Sequence, residues 1–243
     1  MISSNERGQS TLPDVGALML QTPAEAGYPL PAEWEGHACC WMCWPSRAEQ
    51  WADGLAGAQS TYAAIARAIR RFEPVRMVAE PHSVADARAQ CGLGVEVLPM
   101  PIDDPWMRDS GPTFVRRSDG ALAGTAWRYE SDRSATGAAL RLAADNRRAL
   151  ELAVDTAGHR LQIISIDDAY EVQTPHRLFC RSYVNFYIAN GGIVMPGFGV
   201  PGDERARAVI QAAFPDREVA QVDVTRLACG GGGIHCITQQ QPA

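Results

Sequence analysis

A cysteine placed to act as a nucleophile follows the longest glycine run of the chain. Cys236 stands three residues after Gly230–Gly233, and consecutive glycines let a backbone take positive φ angles and pass close to a ligand. The pattern predicts a short strand over Ile234–Thr238 that fixes the thiol at the lip of the glycine loop. A phosphate-binding loop is disfavoured, because no Gly-Lys-Ser/Thr sequence leads into a helix here. A packed structural cysteine beside a tight turn stays open as the alternative.

A second group of chemically active side chains lies in a loop that prolines impose, Pro101–Pro112. The loop carries three aspartates, an arginine and a tryptophan: Asp103, Asp104, Trp106, Arg108 and Asp109. An aromatic face beside a carboxylate suits a planar cation, because the ring attracts positive charge and the carboxylate accepts N–H bonds from the edge of the cation. A turn in which aspartate and arginine pair with each other is the alternative.

The other cysteines give weaker signals. Cys40 and Cys43 have the spacing of a redox pair, but a strand position lacks the helix N-terminus that lowers a thiol pKa. Cys39 could join them in a zinc site, yet no second ligand pair follows at a usable spacing. The seven cysteines are an odd number in a chain without an export signal, so reduced thiols are predicted.

The histidines are assigned to packing and to the surface. By strand alternation His235 is expected on the opposite face from Cys236, which favours packing over catalysis. His82 and His176 follow or adjoin prolines in predicted loops, so we expect them to be solvated.

Composition and charge narrow the class of protein. The chain has 243 residues, of which 46% are apolar, and a net charge of −6, so a sizeable core is expected and a nucleic-acid partner is not. No apolar run has the length of a membrane span, and no membrane partner is expected. Met1–Gly27 lacks the pattern of an export signal and is predicted to be a flexible extension. Residues 28–243 are predicted to form a single cytoplasmic domain, and assembly into a homo-oligomer is left open.

The N-terminal half alternates strand-like and helix-like segments. Apolar residues at helical spacing predict a helix over Ser60–Phe72, which Pro74 stops, and a second helix is predicted over Ser83–Cys91. Three short apolar runs predict buried strands: Ala38–Trp44, Val75–Ala79 and Val95–Leu98. Strands separated by helices favour parallel pairing, which makes the fold class α/β.

The C-terminal half predicts a strand-strand-helix-strand module. Asn190-Gly191 favours a hairpin between the first two strands, and Asp203 is expected to cap the helix. The module comprises strands over Tyr183–Ala189, Ile193–Met195 and Glu218–Val222 and a helix over Asp203–Phe214. Between the halves, a helix over Ala138–Thr156 and a strand over Leu161–Ile166 are predicted.

Five segments that occur in a fixed order carry a family resemblance. They are Pro31–Glu35, Trp41–Pro45, Asp104–Pro112, Ser182–Ile188 and Gly230–Pro242. The chain resembles the agmatine deiminase branch of the Porphyromonas-type peptidyl-arginine deiminase family, and the resemblance spans nearly everything from Pro31 onward. It implies a pentein-type α/β propeller of strand-strand-helix-strand modules around a central active site. The predicted C-terminal module fits one blade of such a propeller.

The resemblance implies roles for three residues. Cys236 occupies the position of the nucleophile, Asp109 that of the carboxylate that binds the guanidinium, and Trp106 that of the aromatic ring beside it. The implied reaction hydrolyses agmatine to N-carbamoylputrescine and ammonia, a step of putrescine and polyamine synthesis, through a cysteine thiouronium intermediate. The implied partner is a small-molecule guanidinium substrate, and no cofactor or metal is implied.

One part of the family pattern is missing. The resemblance implies a general acid–base histidine two residues before a second guanidinium-binding aspartate, but no His-x-Asp occurs in this chain. The N-terminal resemblance runs to Trp127-Arg128 and the C-terminal resemblance resumes within Tyr129–Asp132, which predicts an incomplete propeller whose central blades are absent. We therefore expect little or no turnover. The alternative function is a catalytically silent relative that binds guanidinium ligands or an intact family member.

Overall fold

The structure is a computed structural model of the chain, and it describes residues 22–51, 53–102, 104–125, 151–152, 154, 158–160 and 162–243. Most of the predicted extension 1–27 and most of the predicted helix 138–156 lie outside these residues. Thr22–Gly27 forms a turn in which the Thr22 hydroxyl donates to the Glu25 carboxylate at 3.0 Å. None of the described helices combines the length and the apolar character that a bilayer crossing requires.

A four-stranded sheet dominates the N-terminal half and takes one strand from the C-terminal end. Its strands are β1 (His37–Cys43), β2 (Val75–Ala79), β3 (Val95–Pro99) and β9 (Gln239–Pro242). The order is β3-β2-β1-β9, with parallel pairing among the first three strands and antiparallel pairing of β9 with β1. The predicted strands and their parallel arrangement are confirmed. The sheet therefore anchors the residues that follow Cys236 directly beside β1.

Two helices make the crossovers of this sheet. They are α1 (Leu55–Ile69) and α2 (Val84–Cys91). The predicted apolar stripe of α1 is confirmed, since it buries Tyr62, Ile65, Ala66 and Ile69. The helix starts five residues earlier than predicted, because Gly54, with a φ of 88°, turns the chain into it and Ala58 extends the buried stripe. After Leu55, the first turn consists of the small residues Ala56, Gly57 and Ala58, which give little hydrophobic signal.

A short helix and a separate hairpin follow. They are α3 (Met107–Ser110), β4 (Thr113–Arg116) and β5 (Leu122–Thr125), and the two strands pair antiparallel. The predicted strand over Leu161–Ile166 is not observed at 162–166, because these residues pair with no strand in the described part of the chain. Ile164 is 48% exposed, whereas Ile166 packs partly buried against the hydrophobic core without strand pairing.

The predicted strand-strand-helix-strand module forms the third sheet. It consists of β6 (Tyr187–Ala189), β7 (Gly192–Gly197), α4 (Gly202–Ala213) and β8 (Glu218–Asp223). The Asn190-Gly191 hairpin is confirmed, with Gly191 at a φ of 74°, and β7 pairs with β8 in parallel. The first strand is shorter than predicted because Tyr183 and Asn185 bond to distant segments instead of to a neighbouring strand. A short helix, α5 (Thr225–Ala228), leads from β8 to the glycine run.

Asp203 does not cap α4 as predicted. The helix begins at Gly202, so Asp203 lies within the first turn. Its carboxylate accepts the backbone N–H of Phe198 at 3.0 Å and of Gly199 at 2.8 Å, and the hydroxyl of Tyr183 at 2.7 Å. The side chain therefore orders the loop before the helix, and its charge also suits the positive end of the helix dipole.

A buried polar cluster connects the first and third sheets. The Glu73 carboxylate accepts the hydroxyl of Tyr187 at 2.7 Å and the backbone N–H of Asn190 at 2.8 Å, and it lies 3.1 Å from Nδ1 of His37. The Asn190 amide in turn bonds both backbone groups of His37 at 2.9 and 2.8 Å. Because these residues belong to β1, to the turn before β2 and to the β6–β7 hairpin, the cluster fixes the two sheets relative to each other.

Candidate active site

Cys236 lies in one turn of 3-10 helix, His235–Ile237, between the glycine run and β9. The predicted strand over Ile234–Thr238 is therefore wrong. The turn forms because the backbone N–H groups of Ile237 and Thr238 each bond back three residues and the Thr238 hydroxyl donates to the Ile234 carbonyl at 2.9 Å. Strand pairing starts only at β9, where β1 supplies a partner. The thiol thus stands just before the sheet and is half-buried.

The glycine run gives room to two side chains beside the thiol. A Cβ on Gly232 would lie 2.5 Å from Cζ3 of Trp106, and a Cβ on Gly233 would lie 2.7 Å from the amide carbon of Asn185. Gly231 also has a φ of 91°, which L side chains rarely adopt. Larger residues would push both neighbours away from the loop. In the structure these two side chains lie against the glycine backbone, and the close approach of a ligand to it stays a prediction.

Trp106 lies against the loop that carries the nucleophile. The Cβ position of Gly232 that its ring would meet is 3.3 Å from Cβ of Cys236. Asp104 accepts the backbone N–H of Trp106 at 2.8 Å and so fixes the start of α3. Trp51 packs on the indole at a centroid distance of 5.8 Å. The structure therefore brings Trp106 and Cys236 together and supports the ring from both sides.

Asp109 lies in α3, which packs against the turn that contains Cys236. Its carboxylate makes no hydrogen bond or ion pair within the described part of the chain. Asp109 is exposed at the surface, but partial desolvation by its surroundings raises its pKa, the neighbouring Asp104 raises it further, and Arg108 opposes both effects. A carboxylate with this unused acceptor capacity can receive the N–H groups of a cation.

Arg108 pairs outside its own loop. The guanidinium donates to Glu33 at 3.2 Å, to the Gln240 side chain at 2.9 Å and to the backbone carbonyl of His235 at 3.3 Å. The described partners of Arg108 thus give no support to the alternative of an internally paired Asp–Arg turn. They fix α3, and with it Asp109, to the nucleophile turn and to β9.

His235 bonds Glu33 instead of the neighbouring thiol. Its Nε2 lies 3.0 and 3.1 Å from the two carboxylate oxygens of Glu33. This hydrogen bond, helped by the charge of Arg108, lowers the pKa of Glu33 to about 2. The contact gives His235 a hydrogen-bonding role at the turn, and the predicted reason for packing, alternation along a strand, does not apply to a 3-10 turn.

Asn185 is a site residue that sequence reasoning did not single out. Its Nδ2 donates toward the sulfur of Cys236 at 3.2 Å, and its Oδ1 accepts the backbone N–H of His235 at 2.8 Å. A donor at this distance can stabilise the negative charge that the sulfur carries when it attacks, and Oδ1 of the same amide lies 3.7 Å from the sulfur. The one available signal was its position in Ser182–Ile188, but segment similarity does not tell which side chain faces the thiol.

The redox interpretation of the N-terminal cysteines gains no support. Cys40 and Cys43 are free thiols buried in β1. Burial raises the pKa of Cys43 to about 12 and raises that of Cys40 as well, so neither forms a thiolate readily. Cys39 does not form a metal-ligating group with them. Within the described residues, the one group of three possible metal ligands is Asp53, His176 and Cys229.

Comparisons with known proteins identify deiminases as the similar proteins. The sequence model of the Porphyromonas-type peptidyl-arginine deiminase family matches residues 29–136 and 129–242. An agmatine deiminase of Pseudomonas aeruginosa is 27% identical over 358 residues, which cover 91% of this chain and 97% of the relative. An agmatine deiminase of Stutzerimonas stutzeri is 27% identical over 361 residues, covering 93% and 98%. Both alignments are longer than the 243-residue chain, so the relatives contain residues that this chain lacks.

Solved structures show the same relationship at the level of the fold. The agmatine deiminase of Enterococcus faecalis superposes with a TM-score of 0.76 at 20% identity, over 92% of this chain and 98% of that chain. The fold is therefore that of these deiminases. Within the described residues it is a mixed α/β arrangement of three sheets, and these strands do not close into a barrel.

Proposed function

The chain belongs to the Porphyromonas-type peptidyl-arginine deiminase family, and from that premise we propose that it hydrolyses agmatine to N-carbamoylputrescine and ammonia. One observation carries the proposal: a half-buried thiol, Cys236, a donor to its sulfur and the ring of Trp106 assemble around a single glycine run. The agmatine deiminases that align with most of the chain support agmatine as the substrate.

The proposed chemistry uses the side chains in defined roles. The Cys236 thiolate attacks the guanidinium carbon and forms a C–S bond, the C–N bond to a terminal nitrogen breaks, and that nitrogen takes a proton and leaves as ammonia. Water then adds to the same carbon, the C–S bond breaks, and the ureido product leaves a thiolate behind. Asp109 accepts N–H bonds of the cation and Trp106 covers its face, while Asn185 stabilises the sulfur anion.

We extend the proposal to the architecture of the chain. It is a pentein-type propeller that lacks central blades, with residues 28–243 as a single domain whose gap lies near 128–132. The family match in two segments, 29–136 and 129–242, supports a gap at this place. The greater length of the relatives supports it as well. A role in putrescine synthesis follows from the proposed reaction, and the proposed location is the cytoplasm.

The proton donor is where this chain departs from the family pattern. The leaving nitrogen needs a proton, and the sequence offers no His-x-Asp to supply it. His235 is the histidine next to the nucleophile, but its Nε2 is bonded to Glu33. Since positioned acid–base groups contribute about 10²–10⁴-fold, we expect turnover lower by about that factor than in a relative that has the histidine.

Ammonia release from agmatine tests the proposal. The purified chain is assayed beside the Pseudomonas aeruginosa relative and two variants, Cys236→Ala and Cys180→Ala. Cys180 is a matched control, because it is also half-buried and its sulfur lies 4.0 Å from Nδ2 of the same Asn185. Slow release that Cys236→Ala abolishes and Cys180→Ala retains is the expected result. Ammonia release that persists in Cys236→Ala would show that Cys236 is not the nucleophile.

The same assay addresses the alternative of a silent guanidinium-binding relative. The comparisons do not favour it, because the relatives that cover this chain almost completely are named as enzymes. Saturable agmatine binding without any release above that of Cys236→Ala would nevertheless establish it.

A further inference from the structure

Three distant segments bring a carboxylate, an imidazole and a thiol together away from the Cys236 sulfur. Nε2 of His176 lies 3.2 Å from Oδ1 of Asp53, and the sulfur of Cys229 lies 3.2 Å from Oδ2 of the same carboxylate. One ligand atom from each residue lies within 4.8 Å of the other two. His176, expected to be a solvated surface residue, is instead half-buried in this cluster.

The arrangement does not suit a second nucleophile. In an activated thiol, the base that takes the proton is next to the sulfur and a carboxylate orients that base. Here the carboxylate itself is next to the sulfur, and burial, together with Asp53, raises the pKa of Cys229 to about 11. The thiol is therefore held in its neutral form and is a poor attacking group.

The donor set does suit a cation that can displace the thiol proton. Sulfur, imidazole nitrogen and carboxylate oxygen are the three ligand types of zinc. At zinc bond lengths, tetrahedral ligand atoms lie about 3–4 Å apart. The 3.2 Å separations from His176 and Cys229 end on different oxygens of Asp53, and with one ligand atom from each residue the three atoms lie within 4.8 Å of one another, so a shift of about 1 Å brings them to the spacing of a zinc site. Metal binding releases the proton of a coordinating thiol, so a protonated Cys229 in the metal-free chain is compatible with the site.

We propose that Asp53, His176 and Cys229 bind a zinc-class divalent cation, with water in the fourth position. The charge of Arg226 acts on both Asp53 and Cys229 and opposes a cation there. Moderate affinity is therefore expected instead of that of a closed structural site with four protein ligands.

The location gives the cation a structural consequence. Cys229 immediately precedes Gly230, and a Cβ on Gly230 would lie 3.2 Å from the Trp51 ring and 3.3 Å from the Trp106 ring. A bound cation would tie the start of the glycine run to the loop after Trp51 and to the segment of His176. The bound cation would thus stabilise the glycine run that leads to Cys236, although Cys236 itself is not one of the ligands.

Cobalt titration of the reduced protein tests the site. Co²⁺ replaces Zn²⁺ in such sites, and a thiolate ligand gives it a charge-transfer absorption in the near ultraviolet. One equivalent of Co²⁺ is expected to produce this band, and Zn²⁺ is expected to remove it by competition. Cys229→Ser should abolish the band. Asp53→Asn and His176→Gln should each weaken Co²⁺ binding about 10–100-fold or more, because that is the effect of losing a residue that hydrogen-bonds a metal ligand, and losing the ligand itself costs at least as much.

Matched variants keep the test independent of folding and of deiminase activity. Cys236→Ser and Cys180→Ser each remove one half-buried thiol and keep the three proposed ligands. Both variants should therefore leave the cobalt band and the Zn²⁺ affinity unchanged. Asp53 is on the surface, so Asp53→Asn remains informative even if Cys229→Ser unfolds, which circular dichroism reports. The proposal would be overturned if the cobalt absorption band persisted in Cys229→Ser. It would also be overturned if Asp53→Asn bound Zn²⁺ as tightly as the parent chain, or if Cys236→Ser lost the band. Because no readout involves agmatine, failure here is distinct from failure of the proposed function.

Discussion

Two carboxylate–histidine pairs of this chain use the same chemistry in opposite environments. The side chains of Glu73 and His37 are 0% and 2% exposed, whereas those of Glu33 and His235 are 38% and 35% exposed. The partners of the buried pair, such as Tyr187, belong to the elements that join two sheets. Those of the exposed pair are Arg108 of α3 and Gln240 of β9, which act on Glu33.

The comparison shows how burial determines what such a pair contributes. A dry pair loses its solvation and must be fully hydrogen-bonded, so breaking it leaves an unsatisfied charge and costs stability. A half-exposed pair is screened by water and adds little stability. It can still orient a backbone, as Glu33 does through His235 beside the nucleophile. Loss of the buried pair is therefore expected to lower the free energy of unfolding, and loss of the exposed pair is expected to alter mainly the orientation of the turn that contains Cys236.

The largest effect that follows concerns the free energy of unfolding. Glu73→Gln removes the charge that Tyr187, Asn190 and His37 surround, and loss of one partner of a buried pair costs about 3–5 kcal/mol. Urea denaturation measures the change. Glu96→Gln is the control, because Glu96 pairs with Arg76 at 2.9 Å on the exposed surface, where such pairs contribute about 0–1 kcal/mol. Equal losses in the two variants would contradict the distinction between dry and wet pairs.

The sequence predicted the secondary structure best where its signal was local. β2 matches the predicted strand, and the Asn190-Gly191 hairpin follows from the conformational preference of two residues. The turn at Cys236 and the irregular segment at 162–166 were wrongly predicted as strands, because an apolar run does not show whether a neighbouring strand is available. Local patterns therefore predicted the helices and strands of one module but not the pairing that decides these two segments.

The sequence predicted the residues of the site that lie in a recognisable motif, but not those that reach the site through long-range contacts. Cys236, Trp106 and Asp109 were identified by resemblance to a family motif. Asn185 and Glu33 reach the nucleophile turn across 50 and 202 residues of sequence, and no local pattern reports such a contact. Residues that position the site through the fold thus became visible only in the structure.

The next largest effect is expected on agmatine binding by Asp109, which lies in α3 beside the exposed pair. Asp109→Asn keeps the shape of the side chain and removes its charge, so agmatine binding should weaken by about 1.5–3 kcal/mol, the value of a charge-assisted hydrogen bond. Calorimetry in the Cys236→Ala background measures this without turnover. Asp103→Asn, in the same loop, should weaken binding less. Equal affinities of the two variants would exclude Asp109 from the site.

A smaller effect is expected on the reactivity of the thiol. Asn185→Ala removes the donor 3.2 Å from the Cys236 sulfur, and the rate of alkylation by iodoacetamide at neutral pH should fall about tenfold, or about 1.4 kcal/mol. Asn185→Asp, which is similar in size but places a negative charge at the sulfur, should slow the reaction further. Peptide mass spectrometry separates Cys236 from Cys180. Unchanged rates in both variants would show that Asn185 does not stabilise the thiolate.

The smallest expected effect tests the exposed pair itself through its dependence on pH. The pKa of Glu33 in the folded chain is about 2, below its usual value of 4.5, because His235 and Arg108 favour the ionised carboxylate. A lowered folded-state pKa adds stability above the unfolded-state pKa, and that contribution is lost as the pH falls through the folded-state value. Glu33→Gln should therefore be less stable than the parent chain at neutral pH.

The difference should be less than about 1 kcal/mol, because the pair is more than a third exposed and screened by solvent. It should shrink as the pH falls from about 4.5 toward about 2. Urea denaturation at several pH values measures it, and Glu35→Gln, two residues away, controls for the change in net charge. A difference that exceeds that of Glu73→Gln would reverse the comparison between the two pairs. A difference that grows on acidification would mean that His235 and Arg108 do not hold Glu33 ionised, and the nucleophile turn would then lack the anchor that the geometry indicates.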